Sequence, residues 1–120
     1  MNTSNPEKLI SDFIKYAEIE GKTKIAGDYK LGNAMAKKIN KIFEDLKNDG
    51  ELAREVIGAI LKSDSIRARS LAAVNALRLN IYIEESIEAL EDISKDSSII
   101  GFGAEMALKI WRGEFPGKTL

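Results

Sequence analysis

Apolar side chains recur every three or four residues along most of this chain, which is the spacing that places them on one face of an α-helix. The alternating pattern of a β-strand bounded by turns is absent. Six helices are therefore predicted, over residues 6–20, 28–48, 51–62, 65–79, 84–95 and 99–112. A chain of 120 residues with 44% hydrophobic side chains is long enough for a single domain over residues 1–120 with one core.

The first helix has a clear start and a glycine near its expected end. Asn5 or Ser4 precedes Pro6 as a typical N-cap residue, and proline is favoured in the first turn of a helix. We expect the helix to end near Glu20 and Gly21, with residues 21–24 as a connector. The Gly-Lys-Thr-Lys sequence of that connector lacks the upstream glycine and the spacing of a phosphate-binding loop, so it does not indicate nucleotide binding.

Two of the helices are strongly amphipathic. The second is expected to bury a stripe formed by Leu31, Met35, Ile39, Ile42, Phe43 and Leu46. The fifth carries an acidic outer face formed by Glu84, Glu85, Glu88, Glu91 and Asp92. Acidic runs on helices are usually solvated, and adjacent carboxylates on one helix do not wrap a cation as a calcium loop does, so no metal site is expected.

A polar turn followed by a helix rich in small residues is the most informative local feature. Asp64 or Ser65 is expected to cap the fourth helix, and Arg69 is expected to clamp the turn by pairing with Asp64. Three alanines in that helix allow a neighbouring helix to approach closely: Ala72, Ala73 and Ala76. This combination is typical of the second helix of a HEAT-type hairpin.

An internal repeat supports the same architecture. Residues 73–77 (Ala-Val-Asn-Ala-Leu) align with residues 104–108 (Ala-Glu-Met-Ala-Leu), and Ile57 and Ile60 align with Leu90 and Ile93. A period of about 31 to 33 residues is typical of stacked helical hairpins. The predicted fold is therefore all-α, a short HEAT-like superhelix of three antiparallel hairpins.

Composition excludes several kinds of chemistry. The chain has no cysteine and no histidine, so it lacks thiolates, disulfides, the usual general base and the commonest metal ligand. No catalytic residue, cofactor-binding residue or metal ligand is predicted, and we do not expect an enzyme. The formal net charge of −1 gives the whole molecule no strong attraction to nucleic acid or to an anionic membrane. Without a signal-like N-terminus or a long apolar run, a soluble, cytoplasmic protein is expected.

Several short motifs, in order along the chain, resemble a known family. They are Gly27-Asp28 with Asn33, then residues 63–65 leading into residues 68–73, then Gly101-Phe102 with Ala104, Glu105, Leu108, Trp111 and Gly113. Together they look like the prokaryotic HEAT-like domain of unknown function numbered twenty-nineteen, over residues 9–113, although this chain has Ala68 where that family tends to have a branched aliphatic residue. The resemblance implies a small helical superhelix and carries no established activity. Its relatives are similar, more loosely, to the helical immunity proteins that bacteria encode beside secreted toxins.

A candidate binding surface follows from the HEAT-like arrangement, in which second helices line the concave side. The stripe along the fourth helix has aligned counterparts on the sixth helix and lysines on the second. These candidate partner-binding residues are Lys37, Lys41, Arg67, Leu71, Val74, Arg78, Phe102, Glu105 and Lys109. The groove would be mildly basic and partly apolar, and Trp111 is expected to close the C-terminal end of the core.

Two classes of function remain open. The first is a non-catalytic protein-binding module, including an immunity protein that covers the active site of a toxin. The second is a nucleic-acid-binding protein whose groove cations contact phosphates while Trp111 or Phe102 stacks on a base. The first is favoured because so few groove cations would bind nucleic acid weakly at physiological salt. The partner's identity, the oligomeric state and the choice between the groove and the acidic fifth helix stay open.

Overall fold

The computed structural model describes residues 5–120, and this part of the chain forms six α-helices and no β-strand. The predicted all-α class is confirmed. The helices are α1 (Pro6–Ala26), α2 (Tyr29–Lys47), α3 (Gly50–Leu61), α4 (Ile66–Arg78), α5 (Ile83–Ile93) and α6 (Ile99–Trp111).

Polar side chains cap five of the six helix starts. The side chains of Asn5, Asp28, Asp49, Ser65 and Ser98 accept hydrogen bonds from backbone N–H groups in the first turns of the helices that follow them. Such caps satisfy donors that have no partner inside the helix. Of the two predicted caps of α4, Ser65 is the one used; Ser4, the alternative cap of α1, lies outside the described residues.

The first helix is longer than predicted. It passes through Gly21 and ends at Ala26, where Gly27 adopts the left-handed conformation with a φ of 78°. Gly21 is buried, and a Cβ there would lie 3.0 Å from the Cγ atom of Arg67 on α4. The glycine therefore permits a close helix contact rather than ending the helix, and the predicted connector over residues 21–24 is wrong.

Two apolar clusters form the core, and α4 lies between them. Ala72 and Ala76 belong to the cluster shared with α1, α2 and α3, whereas Ala73 and Leu77 belong to the cluster shared with α5 and α6. All three alanines are fully buried. Because small side chains let backbones approach, α4 can pack against neighbours on both sides, as its sequence predicted.

The order of packing around α4 differs from the predicted groove. Each hairpin pair is in contact, but α1 also packs against α3, α4 and α6, whereas α2 packs on α1 and α3. The part of the molecule described measures 42 × 30 × 28 Å. Because α1 packs on α4 and α6 whereas α2 has no comparable contact with either, the second helices α2, α4 and α6 do not lie side by side along their full lengths.

The buried stripe of α2 is also shorter than predicted. Ile39, Ile42, Phe43 and Leu46 are buried, but Leu31 is 42% exposed. The first turns of α2 lie against the last turns of α1, where Gly32 approaches Thr23, and Met35 is only partly buried. The spacing of apolar residues therefore predicted the buried face of α2 correctly, but it predicted a buried stripe that extends too far toward the start of the helix.

Candidate functional site

Arg67 is held by an ion pair inside the fold. Its Nε atom donates to Glu20 Oε1 at 2.6 Å and its Nη2 atom donates to Glu20 Oε2 at 3.1 Å. The two side chains are only 15% and 11% exposed. This predicted groove residue therefore joins α4 to α1, and most of its surface is unavailable to a partner.

The middle of the predicted stripe is partly buried. Leu71 packs against the cluster shared by α1 to α4, and Val74 packs against the cluster formed by α4, α5 and α6. The two residues lie three positions apart on one face of α4, and each packs against a different cluster. They do not form the floor of a single groove.

Arg78, at the end of the stripe, is exposed and fixed in position by an aromatic ring. Its guanidinium carbon lies 4.1 Å from the centre of the Phe43 ring of α2. Stacking of this kind holds a guanidinium in one orientation while leaving its N–H groups free to donate. Arg78 is therefore the stripe residue best placed to meet a ligand.

The predicted residues of α6 lie away from Arg78. Phe102 is 60% exposed in the first turn of α6, nine positions before Trp111 at its end. Nine helical residues span ~13 Å. Glu105 and Lys109 pair with each other at 3.2 Å. The candidate binding residues Arg78 and Phe102 thus belong to opposite ends of the helical stack.

The two predicted lysines of α2 are exposed on the outer side of the first hairpin. Lys41 lines a shallow hollow that also contains Asp12 and Asp45. Its neighbour Lys38 lies 5.5 Å from the ring centre of Tyr16 on α1. Lys37 and Lys41 therefore lie on the α1–α2 surface, which carries acidic groups as well as basic ones.

A large cavity lies at the end of the molecule that contains Arg78. We call it the basic cleft; its volume is about 610 Å³, and it is lined by Phe43, Lys47, Leu77, Arg78, Leu79, Asn80, Ile110, Trp111, Lys118, Thr119 and Leu120. It is bounded by the ends of α2, α4 and α6 and by the segment that follows α6. Its lining contains three cations and no carboxylate side chain.

The floor of the basic cleft is apolar. Phe43 and Leu77 are buried, and the partly buried Trp111 packs on the α4–α6 cluster together with Leu120. Trp111 does close this end of the core, as predicted, and it also lines the cleft. Sequence reasoning missed Lys47, Phe43 and Lys118 as site residues, because Phe43 belongs to a buried stripe and Lys118 lies in a segment without periodicity.

A second groove follows the acidic face of α5. Its volume is about 530 Å³, and it is lined by Leu61, Arg69, Glu85, Glu88, Ala89, Glu91, Asp92 and Lys95. The predicted clamp between Arg69 and Asp64 is wrong: within residues 5–120 no hydrogen bond or ion pair joins them, and the buried Arg69 Nε atom has no partner. The ion pair that holds the start of α4 is formed by Arg67 instead.

The ionisable groups with shifted pKa values lie outside both grooves. A hydrogen bond and the charge of Asp12 raise the pKa of Lys8, and hydrogen bonds from the side chain and backbone of Ser98 lower the pKa of Asp96. The described residues contain no group of three or more acidic side chains placed to share a metal ion. Among the described helices, none has both the length and the apolar content needed to cross a membrane.

Comparison of the chain with protein-family models, with curated proteins and with solved structures gives no match. The likeness to the HEAT-like family therefore rests on the short motifs in the sequence.

Proposed function

We propose that this chain is a non-catalytic protein-binding module and that the basic cleft binds an acidic segment of its partner. The supporting observation is the lining of the cleft, in which Lys47, Arg78 and Lys118 surround an apolar floor and no acidic side chain contributes. Lys47 is paired with Glu44 at 3.5 Å, but both side chains are more than half exposed, so this contact is weak. Arg78 and Lys118 supply the positive charge that the fold does not neutralise.

The shape of the cleft favours a segment that combines charge with an apolar side chain. Phe43, Leu77 and Trp111 offer apolar surface beside the Arg78 guanidinium. A fixed guanidinium donates to a carboxylate through two parallel hydrogen bonds, and partly buried tryptophan and arginine are the residues most enriched at binding hot spots. A glutamate or aspartate next to a large apolar residue would satisfy both parts of the cleft.

The nucleic-acid alternative has less geometric support. Its proposed phosphate contacts were Lys37, Lys41 and Arg67. Arg67 is neutralised by Glu20, and Lys41 shares its hollow with Asp12 and Asp45. Each phosphate contact must compete with counterions, so the few remaining cations would give weak and strongly salt-dependent binding.

The immunity role is a narrower form of the same proposal and rests on the resemblance to HEAT-like proteins. The immunity role predicts that a neighbouring reading frame encodes a toxin. Co-expression of this chain should then suppress the effect of that toxin on the cell. Suppression lost in Arg78→Ala, but kept in Lys62→Ala at an exposed position outside the cleft, would connect that role to the cleft.

The cleft contains its own optical probe, because Trp111 is the only tryptophan of the chain. We would titrate the protein with a labelled peptide in which glutamates flank a phenylalanine, and with a matched peptide carrying glutamines instead. Saturable binding of the acidic peptide, reported by Trp111 fluorescence and by anisotropy, is expected to weaken at least tenfold in Arg78→Ala. The affinity of the parent protein for the glutamine peptide should be no higher than the affinity of Arg78→Ala for the acidic peptide.

Lys62→Ala is the charge-matched control and should bind like the parent. A short single strand and a DNA duplex, each at low and at physiological salt, form the competing arms of the experiment. Tight nucleic-acid binding with a steep salt dependence would overturn the proposal, as would acidic-peptide binding that is unchanged in Arg78→Ala.

A further inference from the structure

The exposed large apolar side chains of the described residues are concentrated at one end of the helical stack, away from the basic cleft. They are 42 to 74% exposed: Ile25, Tyr29, Leu31, Ile66, Ile99 and Phe102. They come from the last turns of α1 and the first turns of α2, α4 and α6. Successive helices of each hairpin run in opposite directions, so these turns share one end. Apolar surface clustered in this way marks an interaction site more often than isolated exposed residues do.

A hollow with an acidic rim lies within this end. It has a volume of about 320 Å³, and Ile25, Ile66 and Ile100 contribute its apolar surface. Its charged lining residues are Glu18, Lys22, Asp64, Arg67 and Asp96. Because Arg67 is neutralised by Glu20, three carboxylates face a single lysine around the hollow.

An exposed corner that carries a lysine unpaired within residues 5–120 lies beside the hollow. The corner is formed by Tyr29, Lys30 and Leu31 in the first turn of α2, and all three residues are exposed. Only Gly27 and Asp28 separate α1 from α2, so the corner starts four positions after Ile25 of the hollow. Within the described residues, Lys30 forms no ion pair, whereas the hollow has unpaired carboxylates.

We propose that this end of the molecule binds a second copy of the same chain, with the α1–α2 corner of each protomer inserted into the hollow of the other. Tyr29 and Leu31 then cover Ile25 and Ile66, and Lys30 lies against Asp64 at the acidic rim. Corner and hollow are adjacent on one surface, which is the arrangement that a two-fold axis requires for a self-complementary interface. Every contact occurs twice, so a change at one residue affects both halves of the interface.

The test is the mass of the protein in solution over a wide concentration range, measured by sedimentation velocity. The parent is expected to shift from monomer to dimer as its concentration rises. Lys30→Glu places a carboxylate against the acidic rim in both halves and should weaken dimerisation at least tenfold. Lys15→Glu makes the same change of charge at an exposed position of α1 that lies outside the hollow and the corner, and it should dimerise like the parent.

Charge exchange between two variants distinguishes a specific contact from a general effect of charge. Asp64→Lys should also be monomeric, since it opposes Lys30; Asp64 is exposed and caps no helix, so the fold should tolerate the change. An equimolar mixture of Lys30→Glu and Asp64→Lys should form a heterodimer, because one half pairs the two new residues and the other half keeps the native pair. Leu31→Ser tests the apolar part and should weaken dimerisation without changing the charge.

A parent that stays monomeric at every concentration would refute the proposal. Dimerisation that is equally strong in Lys30→Glu would refute it too, and so would a mixture of the two charge variants that stays monomeric while each is folded by circular dichroism.

Discussion

Arg67 of α4 and Glu20 of α1 form a bidentate ion pair, although the two residues are 47 positions apart in the chain. Arg67 also donates through Nη1 to Ser70 Oγ at 3.3 Å, and its aliphatic stem lies over Gly21. The pair therefore fixes the position of α1 along α4. It also explains why α1 continues past a glycine that the sequence alone marked as its end.

Removing one member of this pair should destabilise the fold. In Arg67→Met the Glu20 carboxylate loses the two hydrogen bonds from Arg67 and keeps only its 3.9 Å contact with Lys24, at an expected cost of about 2–3 kcal/mol, between the values for exposed and fully buried pairs. Urea denaturation of the parent, of Arg67→Met, of Glu20→Gln and of the double variant gives the coupling between the two residues. Lys109→Met breaks the exposed pair with Glu105 and should change stability by less than about 0.5 kcal/mol. Equal losses in Arg67→Met and Lys109→Met would show that the inner pair has no special role.

Two glycines of α6 should respond to alanine in opposite directions. A Cβ at Gly101 would collide with the backbone oxygen of Asp96, whereas a Cβ at Gly103 meets no atom within 4 Å. Gly101→Ala should therefore cost about 1–3 kcal/mol through overpacking against a backbone that cannot rotate away. Gly103→Ala should raise stability by about 0.5–1 kcal/mol, since alanine restricts the unfolded chain and favours the helix. Thermal midpoints that move in the same direction would contradict this account of the turn between α5 and α6.

The close packing of α4 can be tested with a pair of alanines. Ala73 is fully buried in the cluster of α4, α5 and α6, while Ala59 of α3 is exposed. Ala73→Leu adds three carbon atoms where no space exists and should cost about 1–3 kcal/mol. Ala59→Leu makes the same chemical change at the surface and should be nearly neutral. Chemical denaturation that gave equal midpoints for the two variants would mean that α4 is not packed as described.

The acid side of the stability curve should contain a contribution from Asp96. Hydrogen bonds from Ser98 lower the pKa of Asp96 in the folded state, and one of them joins the Ser98 backbone N–H to Asp96 Oδ1 at 2.7 Å. A folded pKa below the unfolded one means that the stabilising effect is present above the unfolded pKa and is lost as the pH falls through the folded pKa. A carboxyl NMR titration should place the Asp96 pKa below its ordinary value, and Ser98→Ala should raise it. An Asp96 that titrates at or above the ordinary value would contradict this hydrogen-bonding arrangement.

Local sequence features predicted the helices well, because they act over a few residues. Asn5 and Ser65 cap the helices that follow them, as predicted, and the spacing of apolar residues gave the buried face of α2 from Ile39 to Leu46. Ala73 and Ala76 indicated close packing before any partner helix was known, and both are buried. The end of α1 was predicted wrongly, because Gly21 permits close contact with the Arg67 side chain and does not end the helix.

The candidate site was predicted less well. Nine residues were expected to line one groove, but Arg67 forms an ion pair with Glu20, Leu71 and Val74 are partly buried against different clusters, and Phe102 lies at the far end. Arg78 alone reaches the basic cleft, where Phe43 and Lys118 join it from distant parts of the chain.

The sequence by itself determined the number, the approximate bounds and the buried faces of the helices, since capping and hydrophobic periodicity are properties of neighbouring residues. Only the tertiary structure decided that α1 packs along α4 while α2 reaches the end of α4 through Phe43 and Arg78. It also decided that Arg67 pairs with Glu20 rather than Arg69 with Asp64, and that three cations line the cleft beside Trp111. These outcomes depend on how side chains from separate helices pack together and compensate each other's charge. The distances between such side chains are set by the packing of the helices, and the order of residues along the chain does not give them directly.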